Sequence, residues 1–350
     1  MDRTEWGDLL HHCVADPPGP GPGPRGLVPQ LPSPVVEVDD DRLAARGVRL
    51  LLKRDDLIHA DVPGNKWRKL ALNLTAAVDQ GHHTLLTFGG AYSNHVAATA
   101  AAGWHHGLAT IGVIRGEEHH PLNPVLAAAA AHGMRLTYLD RTRYRARDDP
   151  ALHTELHDRF GRFYLLPEGG SNPLAVRGCA QLATELLTQV PTVDVVCVPV
   201  GTGGTLAGLA AGLAGLGDRA AGHTTGPDVG PDVSRDARRR AVGVAVLRGG
   251  FLPGQVAALQ QATFTAATAN WTVLDGFHSG GYARRDRTLD LFIADFAARH
   301  GLTLDWVYGA KMMRALYATA GDRHLPAGST VVAVITGRCD DDAGDGTERP

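Results

Sequence analysis

VVCVPVGTGGTLAGLAAGL, residues 195–213, joins an unbroken apolar run, a turn of glycine and threonine, and a stretch with helical spacing. The run is short and does not alternate polar with apolar residues, so it reads as a strand covered on both faces. Working outward, the same form recurs at LLTFGG (85–90), IGVIRG (111–116), LTYLD (136–140), AVGVAV (241–246) and VVAVITG (331–337). Helical spacing marks 93–102, 122–132, 150–160, 173–188, 204–216, 251–268, 286–299 and 310–320. Strands that alternate with helices predict an α/β fold of open, mainly parallel sheets flanked by helices.

The 350 residues fit about two domains, and 44% apolar against 20% charged residues excludes wholesale disorder. A formal charge of −3 and the lack of any eighteen-residue apolar run give no pull toward nucleic acid or into a membrane. A small polar substrate is the expectation. Cys13, Cys179, Cys197 and Cys339 are scattered, with no C-x-x-C pair, which argues against a disulfide framework and a cysteine zinc site. With charged residues at Asp2, Arg3, Glu5 and Asp8 in place of a signal peptide, the expected location is the cytoplasm. The proline- and glycine-rich start predicts an extended arm over 1–31, the polar stretch 217–240 a surface insertion, and 338–350 a flexible tail.

Of the 34 basic residues only Lys53, Lys66, Lys69 and Lys311 are lysines. A chain that uses arginine almost everywhere keeps lysine where arginine cannot serve, as where an amine must lose its proton and attack a carbonyl. A packed salt bridge is the plainer use of each one singly. Lys66 opens the helix of GNKWRKL (64–70), and Lys69 follows one turn on along the same face. A neighbouring cation and a helix N-terminus both favour a neutral amine.

Gly201, Thr202, Gly203, Gly204 and Thr205 end a strand and enter a helix, where free amides and the helix dipole suit a phosphate. A tight connection is the other use of such glycines. Leu206 stands where a dinucleotide fingerprint needs glycine, and the P-loop lysine is missing, so NAD and ATP both fail on spacing. In GGAYSNH (89–95), Ser93 and Asn94 are N-cap types, and the same amides would receive a carboxylate. Tyr282 of DGFHSGGY (275–282) and Tyr308 of LDWVYGAK (304–311) read singly as packing residues. Seventeen histidines include pairs at 11–12, 82–83, 105–106 and 119–120, but without His-x-x-x-His spacing they read as loop histidines and not as a metal site. Ser171 and Ser279 both miss the G-x-S-x-G pattern of a hydrolase.

Taken in order, KRDDL, GNKWRKL, GGAYSNH, PEGGSN (167–172), VPVGTGGT, VYGAK and the final ITG resemble the pyridoxal-phosphate enzymes of the 1-aminocyclopropane-1-carboxylate deaminase and D-cysteine desulfhydrase family. The resemblance spans about Pro32 to Gly337. It implies a two-domain, tryptophan-synthase-β-like fold (fold type II) with pyridoxal 5'-phosphate in the interdomain cleft. The large domain would be 32–69 with 175–337, the small domain 70–174, and the assembly a homodimer. Lys66 would form the imine with the cofactor and move the substrate α-proton. Lys69 and the amides of Gly201 to Thr205 would hold its phosphate, and Asn94 its phenolic oxygen. Ser93, Asn94 and His95 would hold the substrate carboxylate, with Ser93 also in proton transfer. Tyr308 would lie against the pyridine ring and Tyr282 near the substrate.

Within that family the ring-opening deaminases follow the VY tyrosine with a glutamate aimed at the pyridine nitrogen, whereas this chain has Gly309. Desulfhydrase-like members place a threonine there from the last strand, which Thr336 matches. A hydroxyl leaves the ring a weaker electron sink than a carboxylate does. That suffices to expel a β-leaving group, so the expected reaction is β-elimination from a small amino acid, giving a 2-keto acid and ammonia. Cyclopropane ring opening is the alternative, and a non-catalytic phosphate-ligand sensor a third. Ala283, Arg284 and Arg338 depart from the desulfhydrase pattern, which leaves the substrate open.

Overall fold

The computed structural model describes residues 26–216 and 239–337. The arm up to residue 25, the insertion over 217–238 and the 338–350 tail, with Arg338, lie outside the described residues. Elements of the first half are β1 (Val35–Val38), α1 (Asp41–Ala44), β2 (Arg49–Lys53), α2 (Asn65–Asp79), β3 (Thr84–Gly90), α3 (Asn94–His106), β4 (Ala109–Arg115), α4 (Pro124–Ala131), β5 (Arg135–Leu139), α5 (Arg141–Tyr144), α6 (Pro150–Phe160) and β6 (Tyr164–Leu166). There follow α7 (Pro173–Gln189), β7 (Val195–Val200), α8 (Gly204–Leu213), β8 (Arg240–Ala245), α9 (Leu252–Phe264), β9 (Trp271–Leu274), α10 (Arg287–His300), α11 (Gly309–Thr319) and β10 (Thr330–Val334).

The chain forms two compact units. One holds Ala76–Gly169 and the described residues up to Leu27; the other holds Val28–Thr75 and the described residues from Gly170 onward. The expected crossings at 69/70 and 174/175 differ from these by a few residues. Composition marks where elements end, whereas α2 runs unbroken through the first crossing.

The larger unit is built on a six-stranded sheet in the order β1-β2-β10-β7-β8-β9, parallel except for the β1–β2 pair. Val195 and Cys197 of β7 join one core with Val331, Ala333, Met312 and Met313, while Val196, Val198 and Val200 join the opposite core with Val332, Leu206 and Leu209. Both faces are thus apolar, which is why the run does not alternate, and each such valine contributes about 1.5–3 kcal/mol by its burial. Helices α7 and α8 meet closely because Gly208 has no side chain: a Cβ there would lie 2.2 Å from the Val176 carbonyl oxygen. The parallel strands bring their carboxyl ends to one edge, where loops from neighbouring strands collect ligands.

The smaller unit carries the parallel sheet β5-β4-β3-β6. Leu86, Phe88, Ile111 and Val113 pack with Tyr144 and Leu156 in one core, and Val96, Ile114 and Leu126 form another. His105 and His106 are not loop histidines as expected; they occupy the last turn of α3, with His105 buried. Helical spacing placed α3 at 93–102, but the alanine-rich face carries it on to the left-handed Gly107. Among the described residues no helix is long and apolar enough to cross a membrane.

Candidate active site

Lys66 lies in the first turn of α2, half-buried, its Nζ donating to Asn65 Oδ1 at 2.8 Å. Asn65 Nδ2 donates in turn to Thr205 Oγ1 at 2.9 Å, which ties the amine to the loop after β7. Desolvation, and then the positive charge of Lys69, bring the Lys66 pKa down to about 7. A large neutral fraction is therefore present at neutral pH, which a nucleophilic amine needs.

Lys69 is buried one turn further on, its Nζ 2.9 Å from Ser171 Oγ and 3.4 Å from Thr202 Oγ1. The two hydroxyls are themselves 2.6 Å apart. Gly203 caps α8 at φ +81° with no side-chain acceptor on the first amides of the helix. A Cβ on Gly204 would stand 2.7 Å from Ser171 Oγ and 3.3 Å from Lys69 Nζ, so the space over the loop depends on glycine. An ammonium, two hydroxyls and uncapped helix amides, with no carboxylate among them, are the donor set for a phosphate.

Tyr308 precedes α11, its ring centre 5.9 Å from Lys66 Nζ, and a Cβ on Gly201 would lie 3.6 Å from that ring. Tyr282 meets Tyr308 edge to face at 6.1 Å, with the hydroxyls 3.4 Å apart. Thr336 is buried just past β10, and its carbonyl oxygen packs on Gly64, at the turn that leads into α2. The larger unit therefore gathers Lys66, Lys69, the loop from Gly201 to Thr205, Tyr282, Tyr308 and Thr336.

Ser93, Asn94 and His95 belong to the smaller unit. There Ser93 is the N-cap of α3 and accepts from the Val96 amide at 3.4 Å; Asn94 is exposed and His95 buried. A Cβ on Gly89 would stand 2.5 Å from Val96 Cγ2, so the turn closes tightly on the helix start.

Three members escaped the sequence reading. Ser171 and Asn65 sit inside quoted motifs, but only the fold shows which atoms they face. Asp305 accepts from the amides of Tyr308 and Gly309, both at 2.7 Å, and burial raises its pKa. An aspartate four residues before the first residue of a helix, close enough to accept from its first amides, is a local pattern that could have disclosed it.

A strand-turn-helix phosphate cradle beside an amine with a lowered pKa fits a cofactor that carries both a phosphate and an aldehyde, and pyridoxal phosphate is that molecule. The family of pyridoxal-phosphate dependent enzymes matches residues 29–337, and this chain belongs to it. A D-cysteine desulfhydrase of Klebsiella pneumoniae is 30% identical over 309 residues, 83% of this chain and 87% of that one. A D-cysteine desulfhydrase of Yersinia pestis is 31% identical over 288 residues, 77% and 80% of the two chains. The crystal structure of an ACC deaminase homologue aligns with a TM-score of 0.74 at 27% identity, covering 90% of this chain and 92% of its own. The expected fold type and cofactor are thus borne out: the protein is a pyridoxal-phosphate enzyme with mainly parallel sheets flanked by helices.

Proposed function

We propose that the protein is a lyase that removes the α-proton of a small amino acid and eliminates its β-substituent, as a D-cysteine desulfhydrase does, releasing a 2-keto acid and ammonia. When bound, the cofactor supplies the electron-withdrawing ring that stabilises the electron pair left on the α-carbon. Lys69 Nζ, Ser171 Oγ, Thr202 Oγ1 and the α8 amides would hold its phosphate. Lys66 would hold the cofactor through its neutral amine, and its free Nζ would take the substrate α-proton. Tyr308 would orient the ring, Asn94 would hold its phenolic oxygen, and the Tyr282 hydroxyl would hand a proton to the leaving group. Ser93, Asn94 and His95 bind the substrate carboxylate through the turn at the start of α3, with Ser93 a further proton carrier.

The observation that carries elimination over ring opening is the environment of Gly309. A Cβ there would stand 2.8 Å from Asp305 Oδ2, so a glutamate would have to displace the Asp305 carboxylate from the backbone amides it accepts from. The Thr336 hydroxyl would then be the partner of the ring nitrogen, which makes a modest electron sink. Ring opening is the alternative, favoured by the alignment with the ACC deaminase homologue. The thiols of Cys179 and Cys197, free and buried, support the cytoplasm as the location, and the family resemblance supports a homodimer.

Keto-acid release from D-cysteine, L-cysteine, β-chloroalanine, D-serine and 1-aminocyclopropane-1-carboxylate tests this. Release from a β-substituted amino acid at a kcat/KM at least about tenfold above the cyclopropane substrate is expected. A preference for the cyclopropane substrate would overturn the elimination reading.

A further inference from the structure

Three of the four lysines have their work defined. Lys66 and Lys69 belong to the cofactor site, while Lys53 donates to the Ser33 carbonyl and Gln189 Oε1, both at 2.6 Å, and pairs with Glu185. The fourth, Lys311, is completely buried and forms no ion pair among the described residues. Its Nζ donates to the Gly281 carbonyl oxygen at 2.8 Å. A buried ammonium that has given up its hydration for a single backbone carbonyl is costly, and the carbonyl it has chosen belongs to the residue just before Tyr282.

The segment around Tyr282 makes turn bonds of its own, from the Gly280 amide to His278 Nδ1 at 3.1 Å and from the Gly281 amide to the His278 carbonyl at 3.0 Å, but its backbone is unusual. Ser279, Gly280, Gly281 and Ala283 have φ of 49°, 91°, 130° and 48°, and left-handed backbone at a serine and an alanine persists only where surrounding contacts impose it. Two contacts from outside the segment come from α11. Lys311 holds Gly281, and Arg314 donates to the Phe277 carbonyl at 3.3 Å while pairing with Asp286 at 3.3 Å. Tyr308, Lys311 and Arg314 are three residues apart and share one side of the helix start. Asp305 secures the same end of the helix by accepting from the Tyr308 and Gly309 amides. One short stretch therefore carries Tyr308 and both anchors of the Tyr282 segment, and the outcome is the 3.4 Å separation of the two hydroxyls.

We propose that Lys311 is a positioning residue for the reaction: by gripping the Gly281 carbonyl it holds the Tyr282 hydroxyl against Tyr308. The inference rests on the assignment of both tyrosines to the reacting end of the site. A lysine suits the task because a charge-assisted hydrogen bond is about twice as strong as a neutral one and a compact ammonium fits where a guanidinium does not. Burial lowers the Lys311 pKa to about 8, with Asp305 and Asp286 opposing that shift and Arg314 adding to it. The grip is therefore strongest below about pH 8 and weakens as the ammonium is lost above it.

Backbone hydrogen exchange over residues 278–284 of the holoenzyme, corrected for intrinsic rates, tests the grip from pH 6.5 to 9.5. Protection in the wild type should fall about tenfold or more as pH rises through 8, and Lys311→Met should lack it throughout. Steady-state kinetics test its consequence. Lys311→Met should lower kcat about tenfold with KM within about twofold, and Lys311→Met combined with Tyr282→Phe should be no slower than Tyr282→Phe alone. Protection over 278–284 in Lys311→Met equal to that of the wild type at low pH would overturn the proposal, as would losses that multiply in the double variant. The exchange result decides the grip even if none of the amino acids is turned over, so failure of the substrate assignment is recognised separately.

Discussion

Gly64 lies so close to Thr336 that a Cβ on the glycine would stand 2.1 Å from the threonine carbonyl oxygen. The contact seats the turn that carries Lys66 directly on the segment that follows β10. Gly64 also adopts φ +62°, a left-handed conformation that costs any other residue about 1–2 kcal/mol. Gly64→Ala must therefore shift the turn or the strand end. A loss of at least about 2 kcal/mol of stability, with a matching loss of cofactor colour, is expected from denaturation and absorbance measurements. A variant as stable and as yellow as the wild type would show that the two segments do not bear on one another.

Two glycines of α8 separate cofactor binding from folding. Gly204→Ala pushes a methyl toward Ser171 Oγ and Lys69 Nζ, at the mouth of the cradle. Pyridoxal phosphate titration should show affinity weakened about tenfold or more, with the melting temperature of the cofactor-free protein nearly unchanged. Gly208→Ala faces the Val176 carbonyl instead and should cost about 1–3 kcal/mol of stability while leaving the intrinsic affinity alone. The opposite pattern would mean that the donor set above the loop is not the phosphate site.

The lowered pKa of Lys66 has a direct consequence for stability. The folded protein gives up this proton near pH 7, whereas the unfolded chain holds it to about 10.5. Between those values the unfolded state binds more protons, so stability of the cofactor-free enzyme rises with pH, by at most about 1.4 kcal/mol per unit and less for a half-exposed group. Lys66→Met removes the buried charge. The variant should be the more stable protein below pH 7, and its advantage should shrink steadily toward pH 10.5 in denaturant titrations. An advantage independent of pH would contradict the shifted amine.

What could be read from the sequence follows from where the physical constraint lies. Strands β3, β4, β7, β8 and β10 were legible because central strands with two covered faces need unbroken apolar runs such as VVCVPV, and the edge strand β5 was legible from LTYLD. The edge strands β1, β6 and β9 were not, since VVEV and YLL are short and only partly buried, and WTVL is half-buried throughout. β2 was masked by Lys53, a charge inside an apolar strand that only its partners Ser33, Gln189 and Glu185 make tolerable. At the site, Lys66, Lys69 and the Gly201 to Thr205 turn were legible because rare lysines and strand-end glycines are local features. The hydrogen bond from Lys69 to Ser171, 102 residues away in sequence, depends on tertiary placement and left no local pattern.

The central claim is that Lys66 is the residue joined to pyridoxal phosphate. Borohydride reduction of the holoenzyme followed by peptide mapping tests it most directly. A single pyridoxyl group on the peptide that contains Lys66 is predicted, absent from Lys66→Arg, which keeps the charge but not the nucleophile. A pyridoxyl group found on Lys69 or Lys311, or retained by the arginine variant, would contradict it.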